Sequence, residues 1–190
     1  MTERAAGFTA VLDANVLAGA LTRNILLSLA EAGYYRPRFS IPILDEVERY
    51  MLRRLDESTA KRQRNNIETA FPEAIVEGLD PLIDRLDLPD ADDRHVLACA
   101  IRTGAARIVT ENEKDFPADV LSTYELQTVR TDDFVANIVD LAGPGAIAAL
   151  RRMRERFERP EIDADELIQL MEIRGLAETA KLLGKYRELL

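Results

Sequence analysis

The sequence predicts an α/β sandwich with a mainly parallel central sheet and a helical C-terminal extension. Three observations carry this. Short apolar runs alternate with helix-patterned stretches from residue 8 to about residue 141. The runs FTAVLD (8–13) and RIVT (107–110) read as strands buried on both faces, the habit of parallel sheets. Residues 146–190 carry no strand signal and are rich in Ala, Leu, Arg and Glu. Strands separated by helices imply crossover connections, and ligands of such sheets bind beyond the carboxyl ends of the strands.

FTAVLD ends in Asp13, so the first strand delivers a carboxylate at its C-terminal edge. Residues 25–32 are helical in pattern until Gly33, and RFSI (38–41) is the second strand. Pro42 suits the first turn of a helix running to about Leu55, with Ile43, Val47, Tyr50, Met51 and Leu55 on one stripe. Another helix begins near Ser58, a capping candidate, and ends by Phe71 and Pro72. In LPDADDRHVLACAIRTGAARIVTENEKDFP (88–117), Asp90 caps a helix whose stripe includes Val96, Leu97, Ala100 and Ile101, and Gly104 stops it. LQTV (126–129) is a further strand, and Thr131 caps a helix reaching about Leu141. After Gly143-Pro144-Gly145, Pro160 and Gly175 divide the remainder into three helices. The expected division is a domain over 1–142 and a helical extension over 143–190.

Composition narrows the chemistry. With 47% hydrophobic and 31% charged residues among 190, the chain has the make-up of an ordinary folded protein. No run approaches membrane-spanning length, and MTERAAGF lacks a signal-peptide apolar stretch, so a cytoplasmic location without membrane association is expected. The single cysteine, Cys99, excludes a disulfide framework and a thiolate zinc site, and is expected in the core. The single histidine, His95, excludes histidine-rich metal centres. Carboxylates remain as the abundant reactive groups. A net charge of -9 argues against general affinity for nucleic acid, so any such affinity has to be local. Two basic stretches qualify: residues 49–64 carry six Lys or Arg against Asp56 and Glu57, and residues 151–159 carry five Arg against Glu155 and Glu158.

Three acids fall where elements end or begin: Asp13 after the first strand, Glu46 early in a helix and Asp93 in the first turn of another. TENEKDF (110–116) follows strand RIVT at the same sheet edge and adds Asn112 and Asp115. Carboxylates brought together repel one another unless protons or a cation offset the charge. Oxygen-only ligands point to Mg²⁺ or Mn²⁺.

On VLDANVL (11–17), SIPILDEVERYM (40–51) and DDRHVLACAIRTGAARIVTENEKDFP (92–117), the chain resembles the PIN domain, and within it the VapC-like toxins of bacterial toxin-antitoxin pairs. The resemblance covers about residues 8–140 and implies a three-layer sandwich. It implies that Asp13, Glu46 and Asp93 are metal-binding, catalytic acids. Many members carry an aspartate where this chain has Asn112, so the fourth ligand is either Asn112, through its carbonyl oxygen, or Asp115 as a further catalytic carboxylate. Around these, Asn15 is expected to orient Asp13 or a water, Thr110 to hydrogen-bond a ligating carboxylate, and Asp92 to cap the helix or stand just outside the ligands. The implied activity is metal-dependent hydrolysis of RNA phosphodiester bonds without a covalent intermediate. The implied partners are RNA, a small antitoxin protein and a second copy in a homodimer, with Arg49, Arg53 and Arg54 as RNA contacts. His95 is expected to point away from Asp93, as a surface or packing side chain.

Two other functions compete. Haloacid-dehalogenase-like phosphatases also open on a strand ending in aspartate, but they need a second aspartate where this chain has Asn15. A PIN-like module that binds RNA or protein without cutting is the other, and Asn112 keeps it open.

Overall fold

The computed structural model describes residues 7–158 and 160–190, so the expectation for the N-terminal segment and the place of Arg159 in the second basic stretch lie outside the described residues. In chain order the elements are β1 (Thr9–Leu12), α1 (Ala14–Ala18), α2 (Ala20–Glu31), β2 (Arg36–Ser40), α3 (Ile41–Met51), α4 (Glu57–Ala70) and β3 (Ile75–Val76). There follow α5 (Asp80–Ile83), α6 (Arg94–Thr103), β4 (Arg107–Val109), α7 (Ala118–Ser122), β5 (Gln127–Val129), α8 (Thr131–Ala142), α9 (Pro144–Glu155), α10 (Ala164–Ile173) and α11 (Ala177–Gly184). Among the described residues, no helix is long and apolar enough to cross a membrane.

The chain forms two compact units, one of residues 8–19 and 36–129, the other, among the described residues, of residues 7, 20–35 and 130–190. The first contains the sheet. All five strands are parallel, in the order β3-β2-β1-β4-β5. β1 is the middle strand, and Ala10, Val11 and Leu12 are fully enclosed, which is why this stretch is apolar without alternation. After β1 the chain builds β2 and β3 to one side and then returns to add β4 and β5 on the other. Strand order therefore reverses between β1 and β4, and in such sheets the ligand-binding crevice lies at the carboxyl ends of the strands at that point. Asp13 and Thr110 are the first residues beyond those two ends.

α3 starts where β2 stops because Ser40 serves both. Its hydroxyl accepts from the Ile43 amide at 3.3 Å, and Pro42 occupies the first turn. Ser40 is fully buried. Ser40→Ala is expected to lower stability by about 1 kcal/mol in urea denaturation, the usual loss for an N-cap hydroxyl. α4 is capped by Asp56, not by Ser58: the Asp56 carboxylate accepts from the Thr59 amide at 3.0 Å and from the Ser58 hydroxyl at 2.5 Å. Thr131 is the first residue of α8 and does not cap it through its side chain. Gly104, in the left-handed region at φ 58°, closes α6 where a side chain would be strained.

The second unit is all helix. α8 packs on α11 and α9, α10 packs on α11, and α2 packs on α9. The Asp132 carboxylate accepts from the amides of Glu178 and Thr179 at 2.8 and 2.9 Å, so α8 satisfies the start of α11. Tyr35 meets Phe134 edge-on at 4.9 Å and donates its hydroxyl to the Leu26 carbonyl at 2.9 Å. α2 and α8 both pack here, so residues 20–35 and 130–142 share this unit with residues 143–190. The tail does hold the three helices expected, α9, α10 and α11.

Candidate active site

At the crevice, Asp13 is only 4% exposed and is held by three donors. Its Oδ1 accepts from the Ala14 amide at 2.6 Å. Its Oδ2 accepts from the Asn15 side-chain amide at 2.6 Å and from the Thr110 hydroxyl at 2.7 Å. Thr110, fully buried, accepts in turn from Asn15 Nδ2 and from the Asn112 amide, each at 3.0 Å. Asn15 Oδ1 accepts from the Glu111 amide at 3.1 Å. These bonds stitch the end of β1 to the turn after β4. Burial pushes the Asp13 carboxyl up from its usual range, and the bonds from Thr110 and Ala14 restrain the rise.

Glu46 lies on α3, 30% exposed at its side chain. Its Oε1 is 2.9 Å from His95 Nε2 and 3.7 Å from the Arg49 guanidinium. Asp93 ends a single 3-10 turn, Ala91–Asp93, that leads into α6. Asp90 caps that turn by accepting from the Asp92 amide at 2.9 Å, while Asp92 is exposed. Asp90 thus caps this turn and not α6 itself, whose N-cap residue is Asp93. Asp93 is half-buried, makes no side-chain capping bond, and has its carboxyl pushed up to about 7. Burial is the main cause, followed by the charges of Asp13, Asp115, Asp90 and Glu46. Asp115 ends the turn Glu113–Asp115, where its carboxylate accepts from the Asn112 side-chain amide. The two candidates for the fourth position are therefore joined to each other. The four acids picked out in the sequence share one electrostatic field.

This donor set suits a hard divalent cation. Every candidate ligand offers oxygen, and the repulsion that adds to burial in raising Asp93 is what a bound positive charge offsets. Among the described residues, no three of His, Cys, Asp and Glu stand close enough to enclose a metal. Mg²⁺ needs no such cage, since it keeps several waters and takes one or two carboxylates directly.

His95 takes the packing place that was one of the two expected for it, with a partner the sequence did not indicate. It is buried and turned toward Glu46. Helical spacing from Asp93 misleads here because α6 starts only at Arg94, and because the partner comes from another helix, α3. One signal was present: His95 is the sole titratable imidazole and directly precedes the buried run Val96–Ala100. Cys99 lies in the core as expected.

The first basic stretch divides in two. Lys61 pairs with Glu57 at 2.5 Å, and Arg64 bridges Asp45, Glu48 and Glu68 at 2.5, 2.8 and 2.9 Å. Arg49, Arg53 and Arg54 remain exposed at the end of α3, with Arg54 stacked 4.6 Å over the Tyr50 ring. In the second stretch, Arg154 donates to the carbonyls of Ile162 and Leu190, Arg151 pairs with Glu155, and Arg156 pairs with Glu31. Asn15, which stands where a dehalogenase-like phosphatase needs an aspartate, is committed to Asp13 and Thr110.

Comparison with known proteins identifies the family. A family model described as PIN domain matches residues 9–114, more than half of the chain. A second, described as VapC50 C-terminal domain, matches residues 131–185. The chain is similar to the Mycobacterium tuberculosis protein named "Putative ribonuclease VapC50", 35% identical over 79 residues, which are 42% of this chain and 47% of that protein. It thus spans about half the length of that relative. No solved structure matches the chain significantly.

Proposed function

Because this chain belongs to the PIN-domain family, we propose that it is a toxin-type ribonuclease that hydrolyses RNA phosphodiester bonds with Mg²⁺ or Mn²⁺. What carries the reading is the place of Asp13 at the strand-order reversal, with Asp93 near enough to feel the charges of Asp13, Glu46 and Asp115. The relative's printed name supports RNA as substrate. Asp13, immobilised by three donors, is the fixed ligand, and Glu46, Asp93 and Asp115 complete the set, with Asn112 a neutral donor beside Asp115. Thr110 and Asn15 hold Asp13 in place. A divalent cation bound here would lower the pKa of an attacking water and neutralise charge on the scissile phosphate. Arg49, Arg53 and Arg54 contact the RNA backbone, which reconciles RNA binding with the chain's acidic balance. A small antitoxin protein and a second copy of the chain are the protein partners that the family resemblance implies.

The test is to incubate the purified, partner-free protein with structured RNAs and Mg²⁺ or Mn²⁺, with EDTA as control, beside Asp13→Ala and Asp93→Ala. Cleavage should require metal and fall roughly 100-fold or more in both variants, since even residues that merely support metal ligands are worth 10- to 100-fold. Equal cleavage by all three proteins would sink the proposed site. RNA retained but uncut under every metal condition would favour a binding module, the reading that Asn112 in place of an aspartate keeps open.

A further inference from the structure

We infer that His95 is a positioning residue for Glu46: its Nε2–H holds Oε1 of the carboxylate, fixing its rotation and leaving Oε2 for a cation. The inference rests on the metal-site reading above and concerns how the least constrained ligand of that site is made rigid.

Asp13 is locked by the backbone and by two neighbouring side chains. Glu46 has no such cradle. It sits on the surface of α3 at the end of a flexible stem, and its ionic neighbour Arg49 is 69% exposed and 3.7 Å away, a contact that solvent weakens. His95 differs in kind. It is 8% exposed, rooted in the first turn of α6 beside the enclosed residues Val96 and Leu97, and its ring nitrogen is 2.9 Å from Glu46 Oε1. A side chain packed this way has little freedom to swing, so it serves as an anchor. Its other nitrogen, Nδ1, is buried without a hydrogen-bond partner among the described residues. A buried N–H without an acceptor is costlier than a bare ring nitrogen, so the proton belongs on Nε2, where it points at the carboxylate. α3 and α6 pack against each other, so this bond also ties the element carrying Glu46 to the one that follows Asp93.

The experiment is Mn²⁺ titration of the full-length protein, followed by electron paramagnetic resonance, for wild type, His95→Gln, His95→Asn, His95→Leu and Glu46→Gln. The glutamine amide nitrogen reaches the position of Nε2, whereas the shorter asparagine reaches only toward Nδ1. His95→Gln should keep the Mn²⁺ dissociation constant within about 3-fold of wild type, while His95→Asn and His95→Leu should raise it roughly 10- to 100-fold. Circular dichroism melts run alongside, and if the leucine variant does not fold, the glutamine and asparagine pair decides. A purely structural role would not rank the variants by where they present a donor. Wild-type affinity in His95→Leu and His95→Asn, or a loss in His95→Gln equal to that in His95→Leu, would overturn the inference alone. Absence of Mn²⁺ binding by wild type, or Glu46→Gln binding as wild type does, would overturn the metal-site reading and the role of His95 with it.

Discussion

Asp93→Asn is expected to stabilise the metal-free protein at pH 8 by about 1–2 kcal/mol while removing metal-dependent cleavage, the energy being reduced from the full shift to allow for solvent screening. The sign follows from where the carboxyl titrates. Unfolded, it ionises near its ordinary 3.8; folded, it ionises at about 7, because of burial first and then the charges of Asp13, Asp115, Asp90 and Glu46. Below the lower value both states are protonated and the fold carries no penalty. As pH rises toward the higher value the unfolded chain releases the proton first, so the contribution of this group to stability declines. Above it, the folded state bears the whole cost of an ionised carboxylate among its like. Asparagine removes that cost. Thermal melts in EDTA should therefore show variant and wild type alike near pH 4 and the variant ahead at pH 8. Saturating Mn²⁺ should reverse the order, since a ligand stabilises only the protein that binds it. A difference that does not change with pH would contradict the argument.

Asp13→Ala should act in the opposite direction, lowering stability by about 2–3 kcal/mol, because buried donors stripped of their acceptor cost more than a bond is worth on average. The Ala14 amide, the Asn15 amide group and the Thr110 hydroxyl all lose their acceptor in a place that is 4% exposed. Burial of the charge subtracts from what those bonds provide, which is why the carboxyl is raised despite them. Urea denaturation of Asp13→Ala and Asp13→Asn at pH 7 is the measurement, and an alanine variant as stable as wild type would show that the network does not hold the two strand ends together. The two acids share a proposed task, yet one is tied into the fold and the other is tolerated by it.

Much of this arrangement was legible in the chain. An apolar run has to be a buried strand, and its first polar residue marks where the backbone leaves the sheet, so Asp13 and Thr110 declared their positions. Glu46 was singled out from its neighbours mainly through the family pattern, and the Asn112–Asp115 turn through its place after strand RIVT. Short elements were not legible: β3 has two residues and α5 four, too few for any periodicity to register. Nor was the capping by Asp56, because an aspartate two residues ahead of a serine offers two equally good starts. The partner of His95 was missed for a deeper reason. Spacing along a helix says which side chains share a face, and the contact with Glu46 is between two helices that are far apart in sequence. The compact units escaped for the same reason. Gly143 and Pro144 do interrupt the helices, but what assigns α8 to a unit is its packing on α11, which no local signal records.

α2 carries a consequence for how the protein comes into being. It is made between β1 and β2, yet its partners α8 and α9 lie beyond residue 130. As the chain is synthesised from its N-terminus, each strand of the sheet can join its neighbours as it emerges. The apolar residues Ile25, Leu26 and Leu29 of α2 have to wait for segments that appear only after the whole sheet. The helical unit is thus the final one to close in a nascent chain. Refolding from denaturant, with every segment present at once, imposes no such order, so the two routes should differ in how long that apolar surface stays open to other molecules.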